Sequence, residues 1–247
     1  MDLSSNTVLI TGGASGIGFA LAERFLRAGS EVAVCGRREK QLRAARVKHP
    51  EIKTCVCDLS TQAGRLSLAE WAARDLPKLN VLVNNAGIQQ RIDLASEREW
   101  EPMRQEIAIN LKAPIHLSSL FIPQLLGQQL PAIVNITSGL AFVPLSRVPI
   151  YSATKAAMHS FTVSLRHQLS GTPIRVVEIA PPAVDTDLGG PGLHTFGIPV
   201  DEFADAAVAG LAAGDEEIAY GFALQASRGT REERRALFVR MNPRVDV

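Results

Sequence analysis

The chain has 247 residues, a formal net charge of +1, and 46% hydrophobic but only 5% aromatic residues. That length suits one α/β domain, residues 1–247, with an interior filled mainly by alanine, leucine and valine. The near-zero charge, with no one-signed run, argues against a nucleic-acid binder. Residues 228–240 are basic but interleaved with Glu232 and Glu233, which reads as a solvated helix face. Three cysteines make no disulfide framework, and five histidines scattered away from them make no metal site. Residues 1–6 are polar and run straight into a strand, and no apolar run is long enough to cross a bilayer. A soluble, cytoplasmic protein with no membrane, metal or nucleic-acid partner is expected.

Apolar runs at residues 7–11, 31–36, 53–57, 81–84, 132–137 and 175–179 read as short buried strands. Between them, residues 17–28, 39–48, 66–75, 97–127 and 151–169 read as helices. This alternation predicts a doubly wound parallel sheet with helices on both faces. Residues 218–222 suggest one further strand, followed by a charged helix. Cys55 and Cys57 share a strand face and read as small buried thiols.

The first strand ends in Thr11-Gly12-Gly13-Ala14-Ser15-Gly16-Ile17-Gly18, which opens the first helix. Glycines there let the backbone turn sharply and approach a pyrophosphate on the helix N-terminus. The spacing G-x-x-x-G-x-G differs by one residue from the common dinucleotide fingerprint. At the end of the second strand stands Cys35-Gly36-Arg37-Arg38, with no acid to hold a ribose 2′-hydroxyl. Arg37 suits the 2′-phosphate of NADP and Arg38 the adenine face, so NADP(H) is favoured over NAD(H). Without that role both are ordinary surface arginines.

Tyr151-Ser152-Ala153-Thr154-Lys155 begins a helix and puts Tyr151 and Lys155 one turn apart on one face. An adjacent ammonium favours the phenolate, and the charge of an oxidised nicotinamide adds to it, so the tyrosine can carry a proton near neutrality. Ser138 follows the fifth strand at the carboxyl edge of the sheet, where its hydroxyl can hold a substrate oxygen. Pro114 follows Asn110 by four residues and removes the N–H that the Asn110 carbonyl would accept in a helix. The freed carbonyl can hold a water beside Lys155, completing a proton path.

These residues together resemble the short-chain dehydrogenase/reductase family in its compact form, over about residues 5–190. The resemblance adds Cys57-Asp58-Leu59, with Asp58 at the adenine, and Asn84-Asn85-Ala86-Gly87 after the fourth strand. It implies Asn110, Ser138, Tyr151 and Lys155 as the catalytic set. For the cofactor it implies Thr11, Gly12, Ser15, Gly16, Ile17, Gly18, Arg37, Arg38, Asp58, Leu59, Asn85, Ala86, Gly87, Pro181, Val184 and Thr186 beside Tyr151 and Lys155. It further implies a Rossmann sheet of about seven parallel strands, a small carbonyl or alcohol substrate, and a homodimer through the helices bearing Asn110 and Tyr151.

Two departures stand out. Pro181-Pro182-Ala183-Val184-Asp185-Thr186 has proline where the family has glycine, which stiffens the root of the loop over the nicotinamide. The C-terminus, ending Met241-Asn242-Pro243-Arg244 and three further residues, lacks the family's glycine-rich tetramer ending. Both features are similar to the DltE-like oxidoreductase subgroup. Residues 187–199 form the candidate lid, with Leu188, Leu193, His194, Phe196 and Ile198 as an apolar roof and His194 read as a loop residue. Arg91, after Gln89 and Gln90, is a candidate for an anionic substrate group. Two rival readings stay open: a non-catalytic NADP-binding redox sensor or regulator, which usually lacks the tyrosine or lysine, and an epimerase or dehydratase, which usually carries a longer chain.

Overall fold

In the computed structural model, residues 1–96 and 99–243 are described. Seven strands form one sheet: β1 (Thr7–Thr11), β2 (Glu31–Gly36), β3 (Lys53–Val56), β4 (Val81–Asn84), β5 (Ala132–Ile136), β6 (Arg175–Ala180) and β7 (Glu217–Ala219). Their order is β3-β2-β1-β4-β5-β6-β7, and every pairing is parallel. The chain winds outward from β1 to β3, then crosses back to start β4 on the other side of β1. That reversal leaves a crevice at the carboxyl ends of β1 and β4, where ligands of open α/β sheets bind.

Both faces of the sheet are covered, so the strands read as apolar runs and still divide their side chains by parity. Val8, Ile10, Val32, Val34, Val81, Val83, Val134 and Ile179 enter one core beneath α1 (Gly16–Arg27), α2 (Glu39–Lys48) and α7 (Val200–Ala213). Leu9, Ala33, Leu82, Ile133 and Val176 enter the other, beneath α3 (Gln62–Asp75), α5 (Ala113–Leu125) and α6 (Pro149–Gln168). Arg24 of α1 is buried yet paired, with Asp201 at 2.6 Å and Asp205 at 2.9 Å on α7.

Four boundaries depart from expectation. Helix α3 begins at Gln62, because the Thr61 hydroxyl accepts the Gly64 N–H at 3.0 Å and caps it. Helix α6 begins at Pro149, a residue suited to a first turn that has no N–H to satisfy. The final strand stops at Ala219, because Gly221 takes a left-handed φ of 53° and Phe222 opens α8 (Phe222–Arg228), followed by α9 (Arg231–Met241). The helix expected over 97–127 is α4 (Trp100–Ile107), a π-helical turn at Ala108–Lys112, and α5. Its expected start at Glu97, like the Arg244 of the C-terminal motif, lies outside the described residues.

A polar ladder crosses the second core. The Asn84 amide donates to Asn135 Oδ1 at 2.9 Å, the Asn135 amide donates to Thr162 at 2.9 Å, and Thr162 donates to the Met158 carbonyl. All three side chains are buried. Asn135→Ala takes one partner from Asn84, which keeps the longer bond to Ser118 at 3.3 Å, and one from Thr162, which keeps the Met158 carbonyl, and should cost about 1–2 kcal/mol. Urea unfolding of the variant against the parent measures it; a change below about 0.5 kcal/mol would show that the ladder re-pairs.

Candidate active site

The turn after β1 and the turn after β4 are built against each other. Gly12 takes φ +63°, and a Cβ there would lie 2.9 Å from the Ala86 Cα. A Cβ at Gly18 would lie 2.3 Å from the Asn85 amide nitrogen. Thr11 is buried beneath both turns: its hydroxyl accepts the N–H groups of Asn85 and Ala86, each at 3.0 Å, while the Asn85 amide donates to the Thr11 carbonyl at 2.8 Å. Thr11 therefore faces the turn, not the cleft.

Above these turns lies a cleft of about 980 Å³, at the upper end for a small-molecule site. Of the candidate cofactor residues, Gly12, Ser15, Gly16, Ile17, Gly18, Arg37, Arg38, Asp58, Leu59, Asn85, Ala86, Gly87, Pro181, Val184 and Thr186 line it. Ser15 precedes α1 without a side-chain cap on the helix, so the first N–H groups of α1 stay available to an anion. Arg38 donates to the Ser15 hydroxyl at 3.1 Å across the mouth. Burial pushes the Asp58 carboxyl up, but the Ser60 N–H and hydroxyl and the charge of Arg37 outweigh it and hold Asp58 below the usual range.

Ser138, Tyr151 and Lys155 line the far end of the same cleft. Ser138 stands two residues past β5, its hydroxyl accepting the Leu140 N–H at 3.1 Å and hydrogen-bonding Tyr151. Tyr151 and Lys155 are only 6% and 4% exposed, and the Lys155 ammonium lies 5.5 Å from the Tyr151 ring centre. Lys155 Nζ donates to the Ile136 carbonyl at 2.8 Å. Asn110, 1% exposed in the π turn, sits behind the cleft wall instead of on it. Its side chain takes both backbone groups of Ile88, accepting the N–H at 2.9 Å and donating to the carbonyl at 2.8 Å. Gly87 separates it from Lys155: a Cβ there would be 3.5 Å from Asn110 Oδ1 and 3.9 Å from Lys155 Nζ.

The sequence of residues 6–193 matches the family model for short chain dehydrogenases. The chain belongs to that family. It is 46% identical to the oxidoreductase DltE of Bacillus subtilis strain 168, whose own reaction is uncharacterised, over 98% of each chain. An oxidoreductase of Staphylococcus saprophyticus is 32% identical over 77% of this chain and 83% of its own. Among solved structures, a short chain dehydrogenase of Burkholderia cenocepacia J2315 in complex with NADP superposes with a TM-score of 0.84 at 27% identity, covering 98% of this chain and 99% of that one. The protein is thus a DltE-like short-chain dehydrogenase, an oxidoreductase.

Charge in this dehydrogenase's cleft differs from expectation. Burial pushes the Tyr151 phenol up to about 12, with the Ser138 hydrogen bond opposing and the charge of Glu106 adding to it. Burial also pulls Lys155 down to about 8. The anticipated lowering of Tyr151 by Lys155 is absent from the protein alone, because the same exclusion of water penalises both charged forms. The substrate side differs too. Leu188, His194 and Phe196 of the 187–199 segment line the cleft, whereas Leu193 packs on Gly190 and Ile198 on the core. Arg91 is exposed and does not line the cleft, while Gln89 does. Phe222 and Met241, from α8 and α9, complete an apolar end with Leu140 and Leu145. The segment is pinned at its root, where Asp185 donates to the Ile198 carbonyl at 2.8 Å and Ile198 to that of Ala183 at 3.0 Å.

Sequence reasoning also passed over Glu106. It is 0% exposed, accepts the Gln90 N–H at 3.2 Å through Oε1, and burial pushes its carboxyl up to about 7. Its spacing of four residues before Asn110 puts both on one helical face, and that is the signal in the sequence that points to it. Because the folded chain binds this proton more tightly than the unfolded one, the associated stability is complete below about pH 4 and lost as pH rises through 7. Between pH 5 and 8 the parent protein should lose up to about 3 kcal/mol more than Glu106→Gln, whose amide does not titrate. Urea midpoints at the two pH values measure this; equal losses would show that Glu106 is ionised throughout.

Proposed function

We propose that this dehydrogenase moves a hydride between NADP(H) and a small carbonyl or alcohol substrate, with Tyr151 as general acid and base. The observation that carries the reading is the convergence of Ser138, Tyr151 and Lys155 in one water-poor pocket, at the end of a cleft that begins on the uncapped N-terminus of α1. The cleft fits the cofactor: glycine backbone at the turn, free helix N–H groups for a pyrophosphate, and Arg37 and Arg38 with no competing acid at the end of β2. Solved relatives are mixed on the choice. The Burkholderia cenocepacia enzyme is in complex with NADP, and a 3-ketoacyl-(acyl-carrier-protein) reductase of Brucella melitensis, 25% identical with a TM-score of 0.80, is complexed with NADH. The arginine pair at the end of β2 is what supports NADP here.

The bound nicotinamide supplies or accepts the hydride at the substrate carbon. Ser138 donates a hydrogen bond to the substrate oxygen and holds it beside the phenol. Tyr151 gives its proton to that oxygen as the alcohol forms, and takes it back in the reverse direction. In the protein alone burial holds that proton tightly, so Tyr151 is set as an acid; a cationic ring beside it favours the phenolate needed for alcohol oxidation. Lys155 and a water on the carbonyl of Asn110 return the proton to solvent. Leu140, Leu145, Phe222 and Met241 favour a substrate with an apolar body. The protein works as a homodimer through α5 and α6, whose surfaces expose Ile115 and Val163.

Calorimetric titration with NADPH and NADH, on the parent protein and on Arg37→Ala, tests the cofactor. NADPH should bind more tightly than NADH, and the variant should lose about tenfold or more in NADPH affinity with little change for NADH. Tighter NADH binding removes the role given to Arg37, and binding of neither cofactor overturns the reading. Tyr151→Phe should retain NADPH binding while reduction of a carbonyl panel falls at least about a hundredfold. Retained turnover in that variant would assign the proton to another group.

A further inference from the structure

Glu106 is a buried ionisable group to which the hydride-transfer mechanism gives no task. It sits one turn before Asn110, and the two side chains grip alternate residues of the segment that follows β4. Asn110 binds both backbone groups of Ile88, and Glu106 Oε1 binds the N–H of Gln90. Between those two anchors lies Gln89, which lines the cleft. Gln89 also meets the 187–199 segment: a Cβ at Gly189 would lie 3.1 Å from its carbonyl oxygen. The residue that bridges the β4 turn and the candidate lid is therefore held from both sides by one helix.

The second carboxylate oxygen of Glu106 has no partner among the described residues, although the side chain is fully buried. A group kept only for stability would be better as a paired amide or an apolar side chain. Among the described residues, no counter-charge acts on Glu106. On the same helix, Glu101 and Arg104 pair with each other at the surface at 2.5 Å. The segment after β4 offers Glu106 the Gln90 N–H. From α6, which packs on α4, the ionisable group coupled to Glu106 is Tyr151, while Lys155 responds to burial alone.

We propose that Glu106 is a positioning residue of the Tyr151 site: it pins Gln90 as Asn110 pins Ile88, and fixes Gln89 between them as the substrate-side wall. The inference rests on Tyr151 as the acid–base group. An ionised carboxyl at this place opposes the phenolate form of Tyr151, and when Glu106 is protonated that opposition falls away.

Two measurements that need neither cofactor nor substrate test this. The first is hydrogen exchange at the Gln90 amide. Glu106→Leu should speed it by about tenfold, and Glu106→Gln, which keeps an acceptor oxygen, should restore protection. The second is tyrosinate absorbance after a rapid jump to alkaline pH, read before any unfolding, in a Tyr220→Phe background that leaves Tyr151 as the one tyrosine. There Glu106→Gln should ionise Tyr151 at lower pH than the parent. A purely structural glutamate would move exchange but not the Tyr151 midpoint. Unchanged Gln90 exchange in Glu106→Leu, or an unchanged midpoint in Glu106→Gln, overturns the proposal. Failure of the parent protein to bind NADPH would sink the hydride-transfer reading while leaving both of these outcomes readable.

Discussion

Everything at the cleft depends on how the segment from Asn85 to Gln90 satisfies its backbone. It leaves β4 at the centre of the sheet, and its polar groups belong neither to a strand ladder nor to a helix, so side chains must pair them. Thr11 takes the N–H groups of Asn85 and Ala86, Asn110 takes both groups of Ile88, and Glu106 takes the N–H of Gln90. These anchors come from β1 and from the helix before α5, which ties the phosphate end of the cleft to the end holding Tyr151. Shape at one end is consequently not independent of shape at the other. The same logic explains Gly12 and Gly18, where any side chain would push the two turns apart.

The π turn at Ala108–Lys112 belongs to this arrangement. Pro114 cannot donate to the carbonyl of Asn110, and the helix answers by widening for one turn before α5 resumes. Pro114 thus shapes the site without approaching it. A sheet edge alone would not give this precision; the helix opposite it has to be irregular at one defined place.

Much of this was legible in the sequence, for physical reasons that differ by element. The central strands were readable because a strand buried on both faces must be continuously apolar. β3 is an edge strand with Lys53 and Val56 exposed and Cys55 half-buried, against the expectation of burial. The observed ends of all six strands through residue 179 still lie within a residue of those expected. Tyr151 and Lys155 were readable as a pair because helical spacing is local. That the Thr11 hydroxyl holds the turn after β4 and does not line the cleft was not legible, because residue type and position say nothing of which side of the turn it faces. Phe222 and Met241 were invisible as pocket residues, since only the tertiary path of α8 and α9 returns them to Leu140 and Leu145. That Leu193, Ile198 and Arg91 lie off the cleft was not legible for a related reason: a loop sequence fixes polarity but not direction.

Burial is the hardest effect to read from sequence, and here it reverses a simple expectation. A lysine one turn from a tyrosine should stabilise the phenolate, yet burial of the phenol works against that charge. With water excluded, the desolvation of each group exceeds their mutual attraction, leaving Tyr151 near 12 and Lys155 near 8. In the protein by itself Tyr151 therefore stands as the neutral phenol. Base character has to be conferred by a positive charge arriving in the cleft, so proton affinity at Tyr151 is tied to what occupies that cleft. A pocket built this way ties the ionisation of its phenol to the charge of its ligand, with no need for a rearrangement of the chain.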